Sequence, residues 1–311
     1  MDRPESRTVD LDGPVHLVDH GGPEDGPVVV CLHGLGGSHA NWHDLAPLLA
    51  RTARVLALDL AGFGRTPRAG RSASVKANRL LVDRFLRQEV GRPAVLLGNS
   101  MGGTIAMLEA AASPELVEGL VLIGPALPRM RSDRPAPFVA RQVALCAVPA
   151  LGERVLVRRR GRLGAEGLIS QTLALTTVDA SRVSSAVREL AVELIASGAA
   201  GPDAEAAYVE AARSLGLLVA RSAALRATIA SITAPGLVLQ GAADRLVPPA
   251  GTRQLAALQP GWRVELLDGL GHVPQIEDPA RTAALVQDFL AALPAPAPRP
   301  LPVPQQLAGA S

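Results

Sequence analysis

Eight short runs along the chain are apolar and rich in Val, Leu and Ile, most of them bracketed by glycine or proline. They are residues 7–11 (RTVDL), 15–19 (VHLVD), 28–32 (VVVCL), 54–58 (RVLAL), 94–98 (AVLLG), 119–123 (GLVLI), 236–240 (GLVLQ) and 263–267 (RVELL). The first two, close together across Asp12-Gly13, read as a hairpin. The later ones are continuously apolar, as expected of parallel strands covered by helices on both faces. Helical patterns follow at 43–50, 73–89, 102–112, 250–258 and 278–292. Strands alternating with helices predict a mostly parallel α/β sheet.

Between 124–128 (GPALP) and 232–235 (ITAP) the strand signals stop, and Ala/Leu/Arg-rich helical patterns such as 181–197 and 203–231 replace them. An all-helical segment between two strands of one sheet reads as an insertion. The predicted organisation is therefore a core of residues 1–125 and 231–293, with a helical cap at 126–230. The remainder, 294–311 (PAPAPRPLPVPQQLAGAS), is a proline-rich tail of polyproline II or disordered type.

Composition narrows the function classes. Of 311 residues 48% are hydrophobic but only 2% aromatic, so Leu, Val, Ile and Ala must do most of the packing. Net charge is +2, Lys76 is the sole lysine, and the arginines are scattered. That pattern gives no basic face for nucleic acid. The densest run, 157–162 (VRRRGR), reads as a solvated helix end. Cys31 and Cys146 are too few and too far apart for a disulfide framework or a zinc site. The first residues carry no apolar signal region, and no apolar run is long enough to span a bilayer, so a cytoplasmic location is expected.

The chemistry gathers where the fifth run meets a helical pattern. Gly98-Asn99-Ser100-Met101-Gly102 fits G-x-S-x-G, with Gly103 adding another small residue. A strand turning directly into a helix strains the backbone at the serine, and small neighbours let the helix pack close. Serine needs a base, and the base needs a carboxylate to orient it. Of six histidines, His272 lies in a loop just after the last apolar run, and Asp244 follows the run before it. Ser100, Asp244 and His272 thus all fall past the C-terminal ends of strands, where open parallel sheets bind ligands. The glycine-rich loop 33–42 (HGLGGSHANW) can aim the Leu35 amide at the same spot as the Met101 amide, giving an oxyanion hole. Trp42, Phe63 and, from the insertion, Phe138, Val139 and Leu173 are candidate pocket walls. Asp59 is expected to fix its own turn. Asp268 and Glu277, which flank His272, read as loop or helix-cap residues.

At this point the chain resembles an α/β-hydrolase of the cap-bearing, esterase-like group. The resemblance rests on His33-Gly34-Leu35-Gly36, Asp59-Leu60-Ala61-Gly62-Phe63-Gly64, the Ser100 elbow, Gly241-Ala242-Ala243-Asp244 with Val247-Pro248, and Gly271-His272. It spans about residues 7–292, and Ala61 departs from the Pro or Arg usual in its turn. The resemblance implies an eight-stranded sheet with the second strand antiparallel, helices on both faces, and a helical cap inserted after the sixth strand. It also implies that His33 shapes the oxyanion loop.

The expected function is serine-dependent hydrolysis of a small or medium, apolar carboxylic ester through an acyl-enzyme, without cofactor or metal and with a small molecule as partner. The alternatives within the fold are a C–C bond hydrolase of vinylogous diketones, and an acyltransferase or cofactor-free perhydrolase. From a different class, a non-catalytic ligand receptor can keep the same residues. Neither a dinucleotide fingerprint nor a P-loop is present, since His39 stands where G-x-G-x-x-G needs glycine.

Overall fold

The computed structural model describes residues 4–128, 141 and 144–294. Eight strands form one sheet: β1 (Glu5–Asp10), β2 (Pro14–Asp19), β3 (Val28–Leu32), β4 (Arg54–Leu58), β5 (Ala94–Asn99), β6 (Val117–Ile123), β7 (Gly236–Gly241) and β8 (Arg263–Leu267). Their spatial order is β1-β2-β4-β3-β5-β6-β7-β8. β1 and β2 form the antiparallel hairpin that Asp12-Gly13 predicts, and β2 also runs antiparallel to β4. The other neighbouring pairs are parallel.

The parallel strands alternate between two cores, as their period of two requires. Val28, Val30, Leu32, Leu96, Leu120 and Leu122 face one way, towards α2 (Val75–Phe85) and α3 (Met101–Ala112). Val29, Cys31, Val95, Leu97, Val121 and Ile123 face the other, towards α1 (Ala46–Leu49) and α10 (Pro279–Ala292). Both faces of β3 to β7 are covered, so those strands carry no polar stripe, whereas β8 at the sheet edge turns Arg263 and Glu265 towards solvent. Burial pushes the Cys31 thiol well up, which leaves it an inert core residue.

Between β6 and β7 the described elements are helical: α4 (Pro149–Thr176), α5 (Ser185–Ala196), α6 (Ala204–Ala220) and α7 (Ser222–Ala230). Two departures from the sequence pattern occur here. The pattern at 203–231 is two helices, divided at Arg221, whose φ and ψ are −77° and 50°. Helix α4 is itself broken at Gly164, where φ is 63° and ψ −178°. After β7 come α8 (Ala250–Leu258) and, beyond β8, the short α9 (Pro274–Glu277). Among the described residues no helix is long and apolar enough to cross a membrane. Phe138, Val139 and the tail beyond residue 294 lie outside the described residues.

Candidate active site

β5 delivers Ser100, and the sheet decides how. Ser100 has φ 52° and ψ −114°, a conformation that costs a non-glycine residue about 1–3 kcal/mol. Among the described residues Asp12 and Ala69 are the other non-glycines with positive φ, but both sit in exposed turns. Ser100 is locked into the sheet edge: its N–H donates to the Ile123 carbonyl at 2.9 Å, and its carbonyl accepts from the Thr104 N–H at 3.1 Å. The glycines around it leave room for that turn. A Cβ on Gly98 would lie 2.5 Å from the Gly102 carbonyl, and one on Gly102 would collide with the Leu32 carbonyl. Strand β5 and helix α3 therefore cross with no side chain between them. The first amides of α3, Met101 foremost, have no acceptor within the helix and carry the positive end of its dipole.

His272 and Asp244 meet at the same edge. His272 Nδ1 and Asp244 Oδ2 are 2.7 Å apart, with the Asp244 side chain fully buried and His272 nearly so. A carboxylate only accepts, so the proton sits on Nδ1 and Nε2 is left with its lone pair. The carboxylate is saturated: Gln240 Nε2 donates to Oδ2 at 2.9 Å, and the amides of Leu246 and Val247 donate to Oδ1 at 2.8 and 2.9 Å. Gly124, at the end of β6, leaves space for the pair. A Cβ there would stand 3.0 Å from His272 Nδ1 and 3.2 Å from Asp244 Oδ2. Asn99 ties the two loops together, its Nδ2 donating to the Ile123 carbonyl at 3.0 Å and the His272 carbonyl at 3.2 Å.

The loop after β3 closes the other side. His33 Nδ1 donates to the Gly34 carbonyl at 2.8 Å while its Nε2 accepts from the Leu60 N–H at 3.0 Å. Burial pushes its pKa down, more than Asp59 nearby raises it, which keeps the ring neutral for this double role. Gly34 packs so closely that a Cβ would lie 3.2 Å from the Ser100 Cβ.

Ser100, His272, Leu35 and Phe63 line one cavity of about 1140 Å³. Its far walls come from the helices between β6 and β7, with Leu173, Leu194 and Leu215 among them. One sequence expectation needs correcting. Trp42 does not line this cavity; it is fully buried in the core with Leu45 and Leu49. The reason is the Ser38 capping box, which closes on Asn41 and presents Ala40 and Asn41 to the cavity while Trp42 turns inward. The arginine run 157–162 closes the first stretch of α4, just before the break at Gly164, and Val157, Arg158, Gly161 and Arg162 are exposed there, as a solvated helix end requires. Arg159 and Arg160 are half-buried at the cavity, bonded to Gln171 (2.9 Å) and Glu205 (3.0 Å) respectively.

Asp59 does more than hold its own turn. It accepts from His16 Nδ1 and His39 Nδ1, each at 2.8 Å, and from the His39 and Arg65 amides at 2.7 and 2.9 Å. Burial alone would raise its pKa, but the hydrogen bonds from His16 and His39 outweigh it and hold the carboxyl well below the usual range. Among the described residues these three are the group close enough to share a metal ion, their atoms lying within 4.8 Å. They spend those atoms on one another, so the cluster reads as a pin between β2, β4 and the Gly34 loop.

Residues 29–285 match the Alpha/beta hydrolase family. The chain belongs to that family. This hydrolase is an enzyme with esterase-like kin. It is 29% identical over 267 residues to a pimeloyl-[acyl-carrier protein] methyl ester esterase of Aeromonas hydrophila, covering 85% of this chain and 96% of the relative. A Xanthomonas axonopodis pv. citri protein of the same name is 30% identical over 276 residues, covering 86% and 97%. Among solved structures, a membrane phospholipase A described as a bacterial virulence factor superposes with a TM-score of 0.72 at 27% identity, covering 93% of this chain and 86% of that one.

Proposed function

We propose that this hydrolase cleaves a carboxylic ester bearing an extended apolar group, with Ser100 as nucleophile, His272 as general base and Asp244 as its orienting acid. The observation that carries the reading is the strained Ser100 opening onto the same apolar cavity as a His272 already paired through Nδ1 to a saturated, buried Asp244. His272 Nε2 takes the hydroxyl proton as Ser100 attacks the carbonyl, and Asp244 stabilises the imidazolium that forms. The Leu35 and Met101 amides bind the oxyanion, each donor worth ~3–4 kcal/mol of barrier. The alcohol leaves with the proton from His272, and water, activated by the same ring, releases the acid.

Cavity size shifts the substrate expectation upward. A volume of 1140 Å³ lies above the common range for small-ligand pockets, ~300–1000 Å³, so a short ester would leave it largely unfilled. We take the helices of 126–230 as a cap that supplies this volume. The named esterase relatives favour an ester over a C–C bond as the scissile group. The test is steady-state hydrolysis of p-nitrophenyl esters from acetate to decanoate, with Ser100→Ala alongside. Turnover that rises with chain length and vanishes in the variant is expected; equal turnover in both proteins sinks the serine mechanism.

A further inference from the structure

One buried carboxylate close to the base loop has no part in that mechanism. Glu277, the last residue of α9, is only 3% exposed, and no cation pairs with it among the described residues. Its Oε2 accepts from the Gly271 N–H at 2.8 Å, immediately before His272. Its Oε1 accepts from the Val178 and Asp179 amides at 2.8 and 3.0 Å, just past the end of α4. Three donors converge on one carboxylate, two from the helical segment and one from the base loop.

Further bonds follow the same line. The His272 N–H donates to the Thr176 carbonyl at 2.6 Å, and Arg182 Nη1 donates to the Gly269 carbonyl at 3.0 Å. Gly271 lies so near Thr176 that a Cβ there would strike its carbonyl. Beneath them Leu173, Val183 and Val187 pack with Val273 and Ile276 in a small apolar cluster of their own. His272 is thus bound to the core by its side chain, through Asp244, and by its carbonyl, through Asn99, while its N–H ties it to the helical segment.

We propose that Glu277 is a positioning residue: it straps the loop of the base to the end of α4, so that the helical segment sets where the His272 ring stands. This rests on the reading of His272 as base. A bond network on one side of the ring's main chain and Asp244 on the other leave the imidazole a single height above the sheet edge. Loosening the strap lets the ring drift from the serine without touching any group that meets substrate.

The test compares Glu277→Gln with the parent full-length chain. Glutamine offers one acceptor oxygen and turns an NH2 towards an amide that also donates, so at least one end of the strap opens. Three readouts are taken: the rate at which a fluorophosphonate modifies Ser100, the low-field proton resonance of His272 Nδ1, and the melting temperature. Displacing a general base by about 1 Å can cost on the order of 10²-fold, so a slowing of roughly tenfold or more is expected, with the resonance shifted or broadened. Arg182→Ala, at an exposed residue, opens a weaker tie and should slow labelling less, in the same direction. A folded Glu277→Gln with parental labelling rate and resonance overturns the proposal, whatever its melting temperature. Should that variant not fold, a parental resonance in Arg182→Ala overturns it instead. A parent that keeps the resonance but is never labelled at Ser100 defeats the serine mechanism alone, and the resonance of the variants then judges the strap.

Discussion

The sheet and the helices between β6 and β7 are built on different terms. Sheet residues around the site are fixed by backbone: Ser100 by Ile123 and Thr104, Asp244 by Leu246 and Val247, and Gly98 and Gly102 by want of any room for a side chain. The helices opposite contribute buried and half-buried aliphatic side chains, and their runs are interrupted at Gly164 and Arg221. The difference teaches where tolerance lies. A change at the sheet edge moves groups that must stand within a fraction of an ångström, whereas a change in the helices, outside residues 176–179 that hold the base loop, alters the volume and shape of the cavity.

Substitutions can break or sharpen that division. The largest effect should come from Ser100→Ala, with kcat for the preferred ester falling ~10⁴-fold or more while the fold, read by circular dichroism, is unchanged. Next is Asp244→Asn. Its new NH2 would face two donors, His272 Nδ1–H and Gln240 Nε2, so the imidazole is driven to the wrong tautomer. A loss of about 10³–10⁴-fold in kcat with little change in KM is expected from steady-state kinetics.

On the helical side, Ala191 lines the cavity without touching the backbone pins. Ala191→Phe should leave acetate turnover near the parent while decanoate turnover drops on the order of tenfold, measured as a ratio of kcat/KM values. Equal losses on both esters would erase the division drawn above. The smallest effect concerns stability alone. Glu109, on α3, pairs with Arg79 at 2.8 Å, yet burial outweighs the arginine and raises its pKa from 4.5 to about 7. A folded value above the unfolded one means the folded state holds the proton more tightly. Its contribution is therefore full below pH ~4.5 and is lost as pH rises through about 7. Glu109→Gln should flatten that slope, read from urea midpoints across the window, without changing the pH profile of catalysis.

The same contrast governs what could be read from the sequence. All eight strands lie within a residue or two of the apolar runs, because two-sided burial forces continuous hydrophobicity on β3 to β7. The elbow and Gly271-His272 were legible because close backbone approach admits only glycine. Helix α4 is legible only at its arginine-rich stretch 157–162: Gly161, Gly164 and Gly167 dilute the helical pattern, and its apolar residues form no single stripe. Trp42 is ambiguous in the sequence because large aromatics near a site suit pocket and core equally, and only the Ser38 cap decides the rotation. In the sequence Glu277 reads as a loop or helix-cap residue. Its partners, Val178 and Asp179, stand about a hundred positions away and donate through main-chain amides, which carry no signal in side-chain identity.

The pairing of β6 with β7 has a consequence for how such a chain can change over time. Leu120 stands opposite Gly236 and Ile123 opposite Leu239, so the chain departs from and returns to adjacent strands, ~4.8 Å apart. A segment whose two ends are held at a fixed separation by the sheet can be lengthened at small entropic cost, each doubling adding only ~0.6 kcal/mol. Transplanting the helices of a relative between these two strands, with host residues 176–179 kept to hold the base loop, should therefore preserve register and core, giving chimeras in which substrate range is inherited from the donor and chemistry from the host.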